Sequence, residues 1–165
     1  MAIDEQRASI NDTEEQLVVF TLANESFGVG IESVSTIIRL PEITRVPRSP
    51  DFIDGVINLR GAIIPIIDLR KRFGLPTAEA TKATRIIVID NGKLIVGLVV
   101  DAVTETLRIP LSCINMLSPL VVSVDSQYLR GVGQVDDRLV ILLSLDRILA
   151  ADEENSLKEL VNTTN

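Results

Sequence analysis

The chain is 165 residues long, about the length of one average domain, and is 46% hydrophobic and 3% aromatic with neither Trp nor His; without His there is no catalytic imidazole base, His-ligated zinc or phosphohistidine chemistry. A single Cys, Cys113, excludes an intramolecular disulfide and a Cys-rich zinc or iron–sulfur site, and fits a reducing, cytosolic compartment. The formal charge of −7 sits at the ends, with five acids and one base in residues 1–16 and four acids and one base in residues 150–165, so residues 17–149 hold 14 of each sign and offer no basic excess for nucleic acid.

Residues 1–14 read as an acidic tail, and the opening MAIDEQR has neither the basic n-region nor the apolar core of a signal peptide. Short Val- and Ile-rich runs bounded by Asn, Gly and Pro then predict strands over Leu17–Leu22, Phe27–Ile31, Val34–Leu40, Val56–Leu59 and Ile63–Leu69. Short helical turns are expected near Pro50–Ile53 and Leu69–Phe73. After a polar link at Pro76–Lys82, five more strands are expected at Arg85–Ile89, Leu94–Val100, Val103–Ile109, Gly131–Val135 and Leu139–Leu145, with a helical turn at Leu111–Met116. Leu94–Val100 is the longest uninterrupted apolar run at 7 residues, against roughly 20 needed to span a bilayer as a helix. The second acidic tail, 151–165, places Leu157, Leu160 and Val161 at helical spacing.

The chain repeats itself. A shift of 69 residues lays Phe27–Pro41 on Val96–Pro110 without a gap, matching Gly28 to Gly97, Val34 to Val103, Arg39 to Arg108 and Pro41 to Pro110. A shift of 76 lays Phe52–Leu69 on Tyr128–Leu145 with Gly55 on Gly131. The chain therefore reads as two copies of one five-stranded unit, about 15–75 and 84–150. A unit of about 60 residues buries only about 60% of its chain surface and is marginal alone, so the two should share a hydrophobic core. Closure into small all-β barrels removes exposed edges. Whether a strand of one copy completes the barrel of the other is not decided by the sequence.

No residue pattern points to catalysis or metal binding. Asp68, Asp101, Asp136, Asp137 and Asp146 lack the spacing of a carboxylate pair or a calcium loop and read as solvated turn residues. Gly28-Val29-Gly30 lacks the third Gly and the helix of a phosphate cradle and reads as a bulge or barrel corner. The five aromatics, Phe20, Phe27, Phe52, Phe73 and Tyr128, lie mostly among apolar neighbours and read as core rather than a stacking platform. Arg39 and Arg60 stand out, since each adjoins strand signal in an aliphatic context and needs either a structural hydrogen bond or a recognition role.

The segment Gly55–Leu75 (GVINLRGAIIPIIDLRKRFGL), with ITRVP before it and IVGLVVDAV and YLRGVG after it, closely resembles the CheW family of bacterial chemotaxis coupling proteins over about residues 15–150. The resemblance implies two SH3-like five-stranded β-barrels around a shared core, and a non-enzymatic, cofactor-free adaptor. Such an adaptor joins the cytoplasmic tips of chemoreceptors to the regulatory domain of the CheA histidine kinase, in the cytoplasm at membrane receptor arrays and without inserting into the membrane. By position it places Val34, and Arg60 of Asn58-Leu59-Arg60-Gly61, at the receptor, and the repeat adds Val103. The candidate receptor-binding set is Val34, Ile37, Asn58, Arg60, Val100 and Val103, with no residue assigned to the kinase. Thr36 stands where the family commonly has Glu. A scaffold of a related chemosensory array with pilus motility or another output, and a small-ligand-binding barrel, are the alternative readings.

Overall fold

The structure is a computed structural model, and it describes residues 14–115 and 126–148. Among these lie eleven strands: β1 (Glu14–Leu22), β2 (Glu25–Gly30), β3 (Val34–Arg39), β4 (Ile53–Leu59), β5 (Ala62–Asp68), β6 (Arg85–Asp90), β7 (Ile95–Val100), β8 (Ala102–Pro110), β9 (Ile114–Asn115), β10 (Leu129–Val135) and β11 (Arg138–Leu143). Two short helices, α1 (Leu69–Arg72) and α2 (Leu145–Ile148), follow β5 and β11. Each of the ten expected strands is matched by a strand of the structure.

One expected turn is present, a second is shorter than expected, and one strand end is corrected. Pro50–Ile53 is a main-chain turn, closed by the Ile53 N–H donating to the Pro50 carbonyl at 3.0 Å, after which β4 begins at once. Leu111–Met116 is a three-residue 3-10 turn, Leu111–Cys113, running into the two-residue strand β9, and Met116 lies outside the described residues. Leu145 opens α2 instead of ending β11. The expected C-terminal helical segment around Leu157 lies outside the described residues.

The strands form two sheets, β8-β1-β2-β11-β10-β9 and β3-β6-β7-β5-β4. Neither sheet is a single sequence copy. The hairpin β1–β2 of the first copy completes the sheet of β8, β10 and β11, and the matching hairpin β6–β7 of the second copy completes the sheet of β3, β4 and β5. The exchange holds residue by residue. The parallel pair Leu142 and Gly28 corresponds under the two shifts to Ile66 and Gly97. The register shift that sets Phe20 opposite Val103 recurs where Ile89 sits opposite Val34, and the shift at Leu129 to Gly131 recurs at Ile53 to Gly55. An operation that carries each copy onto the other has the reciprocity of a two-fold axis.

Strands shared in this way are buried on both faces, which explains why β1, β2, β6 and β7 read as nearly continuous apolar runs instead of alternating ones. On one face, Leu17, Val19, Val140 and Leu142 fill the interior of one barrel, and their counterparts Ile86, Val88, Ile64 and Ile66 fill the other. On the opposite face, Val18, Phe20, Phe27 and Val29 join Ile87, Ile89, Val96, Leu98, Ile53, Ile67, Leu69 and Phe73 in one core between the barrels. The rings of Phe20, Phe27, Phe73 and Tyr128 form a chain through it, with centroids 5.9, 6.1 and 5.3 Å apart.

The repeated glycines are packing requirements. At Gly55 a Cβ would lie 2.1 Å from the Thr44 carbonyl oxygen, and at Gly131 it would lie 2.7 Å from that of Asn115, because a loop or short strand crosses each β-bend at close range. Gly28 lies inside a regular strand, which corrects the bulge alternative, while Gly30 ends β2 at the turn into β3; the missing side chain of Gly28 leaves room for Val140, 3.1 Å from where a Cβ would be.

Candidate functional site

Five of the six candidate residues lie on the end strands β3 and β8 of the two sheets and on one hairpin, and the sixth, Val100, ends the inner strand β7. In β3, Ile37 is paired with Ile87 and Val34 with Ile89, both in the inter-barrel core, and directly opposed residues share a face. Val34 and Ile37 therefore stand on the side of β3 that looks toward the other barrel, where β3 is the last strand and the core runs out to solvent. Val34 is partly buried against the core, and Ile37 remains 38% exposed. Val103 holds the equivalent place on β8, opposite Phe20 and packed on the same core. The structure thus brings Val34, Ile37 and Val103 to the rim of one apolar layer. Val100 is a correction: it is 1% exposed and belongs to that core, since β7 is an inner strand covered by the other barrel. It faces that core and not the surface.

Asn58 and Arg60 occupy the β4–β5 hairpin. Leu59 pairs with Ala62, leaving the two-residue turn Arg60-Gly61 with φ of 54° and 88°; positive φ at both central positions is the turn whose twist matches the flanking strands. The Asn58 Oδ1 accepts from the Gly61 N–H at 2.9 Å and holds the turn. Arg60 is exposed, and its side chain makes no hydrogen bond or ion pair among the described residues. The corresponding tip of the other barrel carries Asp136 at φ 54° followed by Asp137. There Arg138 grips Glu105 through two hydrogen bonds of 3.0 and 2.9 Å, tying β11 to β8. The equivalent positions are Ala62 and Thr36, so this barrel has no such ion pair.

Two of the acidic residues, Asp68 and Asp101, are not the solvated turn groups the sequence suggested but have structural partners. Asp68 caps α1, accepting from the Arg70 N–H at 2.9 Å and the Lys71 N–H at 3.4 Å, and its burial, with Asp54 nearby, raises its carboxyl above the ordinary value. Asp101 accepts from Arg70 at 2.9 and 2.5 Å and from the Ala23 N–H at 2.9 Å, joining α1, the β1–β2 turn and the β7–β8 junction. The guanidinium holds the Asp101 carboxyl below the ordinary value. A depressed carboxylate contributes stability that is present above its unfolded value and is lost as pH falls through the folded one, whereas Asp68 shifts the balance the other way by favouring the folded state as it protonates. Urea unfolding between pH 7 and pH 2 should therefore show Asp101→Asn about 1 kcal/mol less stable near neutrality, with the gap closing at the acid end.

Two arginines escaped the sequence reading. Arg72 stacks over Phe52 and Tyr128, 4.5 and 5.1 Å from their ring centroids, and donates to the Ile148 carbonyl at 2.9 Å. Phe52 and Tyr128 are equivalent positions of the two copies, so their alignment in the repeat was the available signal. Arg85 sits opposite Arg39 and between β3 and β7. Among the described residues no group of His, Cys, Asp and Glu is arranged to hold a metal ion, and no helix is long and apolar enough to cross a membrane.

Comparison with known proteins accounts for this arrangement. A family model described as a CheW-like domain matches residues 16–153. The chain is 37% identical over 139 residues to the chemotaxis protein CheW of Klebsiella aerogenes, covering 84% of each chain. It is 33% identical to that of Bacillus subtilis, covering 88% of this chain and 93% of the relative. The crystal structure of the scaffolding protein TtCheW from Thermoanaerobacter tengcongensis superimposes with a TM-score of 0.77 at 37% identity, over 84% of this chain and 90% of that one. With two barrels built by reciprocal hairpin exchange, and with sequence and structure matched over most of its length, the chain belongs to the CheW family of chemotaxis scaffold proteins.

Proposed function

We propose that this scaffold joins the cytoplasmic tip of chemoreceptors to the regulatory domain of a CheA-type kinase, in the cytoplasm at membrane receptor arrays, with no turnover of its own. A receptor tip is a helical hairpin, and the rim formed by Val34, Ile37 and Val103 offers the apolar strip that helix-in-groove recognition uses. Arg60 carries the reading. A long charged side chain is held in the left-handed region, where an L-residue is disfavoured by about 1–2 kcal/mol, and where Asn or Gly would sit more easily. The exposed guanidinium has no partner among the described residues. The turn itself imposes the positive φ, as it does at Asp136 of the other barrel, and a strained, exposed cation at such a position supports a binding role.

Arg60→Asn tests it, because folding and binding should move in opposite directions. The variant should be up to about 1 kcal/mol more stable to urea, since Asn tolerates this conformation. It should bind a receptor cytoplasmic fragment about tenfold more weakly. In a mixture of receptor and kinase it should support less kinase autophosphorylation, through reduced assembly rather than altered chemistry. Equal receptor affinity for the variant and the natural protein would remove Arg60 from the contact.

A further inference from the structure

We propose that Arg39 and Arg85 together form a carboxylate-reading site at one end of the receptor-binding rim, so that the helix docking there carries an Asp or Glu in register with its apolar stripe. The inference rests on the receptor reading above and adds the chemistry its partner must have. Arg39 on β3 and Arg85 on β6 are directly opposed in antiparallel register. Opposed residues share a face, with Cβ atoms roughly 5 Å apart, and like charges there are destabilising. The face is the one that bears the rim. Two residues along each strand stand Ile37 and Ile87, and Arg85 is opposed on its other side by Val100 of the inter-barrel core.

Among the described residues neither guanidinium meets a carboxylate. Within the described residues Arg85 donates through Nη1, to the carbonyl oxygens of Lys82 and Thr84, both at 2.8 Å, and Nε and Nη2 make no hydrogen bond there. Arg39 is exposed, and its side chain makes no hydrogen bond or ion pair among the described residues. The other barrel shows that the double charge is not required by the fold, because the equivalent of this pair is Arg108 opposite Gln16. A carboxylate from a partner would bridge the two forks, relieve their repulsion and be held by charge-assisted hydrogen bonds.

The test uses the full chain and a receptor cytoplasmic fragment in calorimetric titrations at several salt concentrations, with thermal unfolding as the folding control. The double variant Arg39→Ala/Arg85→Gln repeats at position 85 the residue that the other barrel already accepts. It should bind about tenfold more weakly, with a flatter salt dependence, while its midpoint of unfolding stays the same or rises. Arg39→Glu should bind more weakly still, and reversing one acid of the fragment to Arg should restore it. Unchanged affinity and salt dependence in the double variant overturn the proposal; if Val34→Met still weakens binding the rim itself stands, and if it does not the receptor reading falls as well.

Discussion

Replacing Phe27 by Ala is expected to cost about 3–5 kcal/mol of stability, the usual range for deleting a fully buried ring, and to do so in a single transition. Phe27 lies in β2 of one barrel, is fully buried, and stacks between Phe20 and Phe73, the latter at the end of α1, which follows β5 of the other barrel. A cavity opened there removes contacts from both barrels at once. Because each barrel contains a hairpin of the other copy, neither has a complete sheet without its neighbour. Calorimetry of the natural protein and of Phe27→Ala should each give one endotherm whose calorimetric and van't Hoff enthalpies agree. A split into two transitions, with only one displaced by the substitution, would show that the barrels unfold independently.

Enlarging Val34 to Met is expected to weaken receptor binding by roughly 5- to 150-fold, the equivalent of about 1–3 kcal/mol of overpacking. Val34 is wedged between its cross-strand neighbour Ile89 and the edge of the inter-barrel core, where β3 ends the sheet. A longer, unbranched side chain can only extend outward from that position, into the space a docking helix would occupy. The fold should tolerate it, since the outer side of β3 faces solvent, and thermal stability should change little. Binding of the isolated kinase regulatory domain should be preserved. If that domain lost affinity as much as the receptor fragment at unchanged stability, the rim would be serving the kinase or both partners.

The strand positions, the internal duplication and the all-β class were legible in the sequence because short β-branched runs between turn residues leave a local signature, and because Gly28, Gly55, Gly97 and Gly131 mark places where backbone or side chains close in. The charge balance and the absence of His likewise needed no coordinates to narrow the chemistry. Local pattern carries no information about which hairpin pairs with which strand, since β1–β2 would hydrogen-bond equally well to β3–β5 of its own copy. Only the assembled structure shows the exchange, and with it why Val100 is core while Val34 and Val103 are rim. The apolar pattern is the same for all three, and what separates them is whether a further strand lies alongside. The pairing of Arg39 with Arg85 was likewise invisible, because residues 46 positions apart meet only through sheet register. Asp68 finds its partners two and three residues along the chain, at the start of α1, but Asp101 read as a surface turn until tertiary packing set Arg70 and the Ala23 N–H against it, for those partners are chosen by the fold and not by its neighbours in the chain.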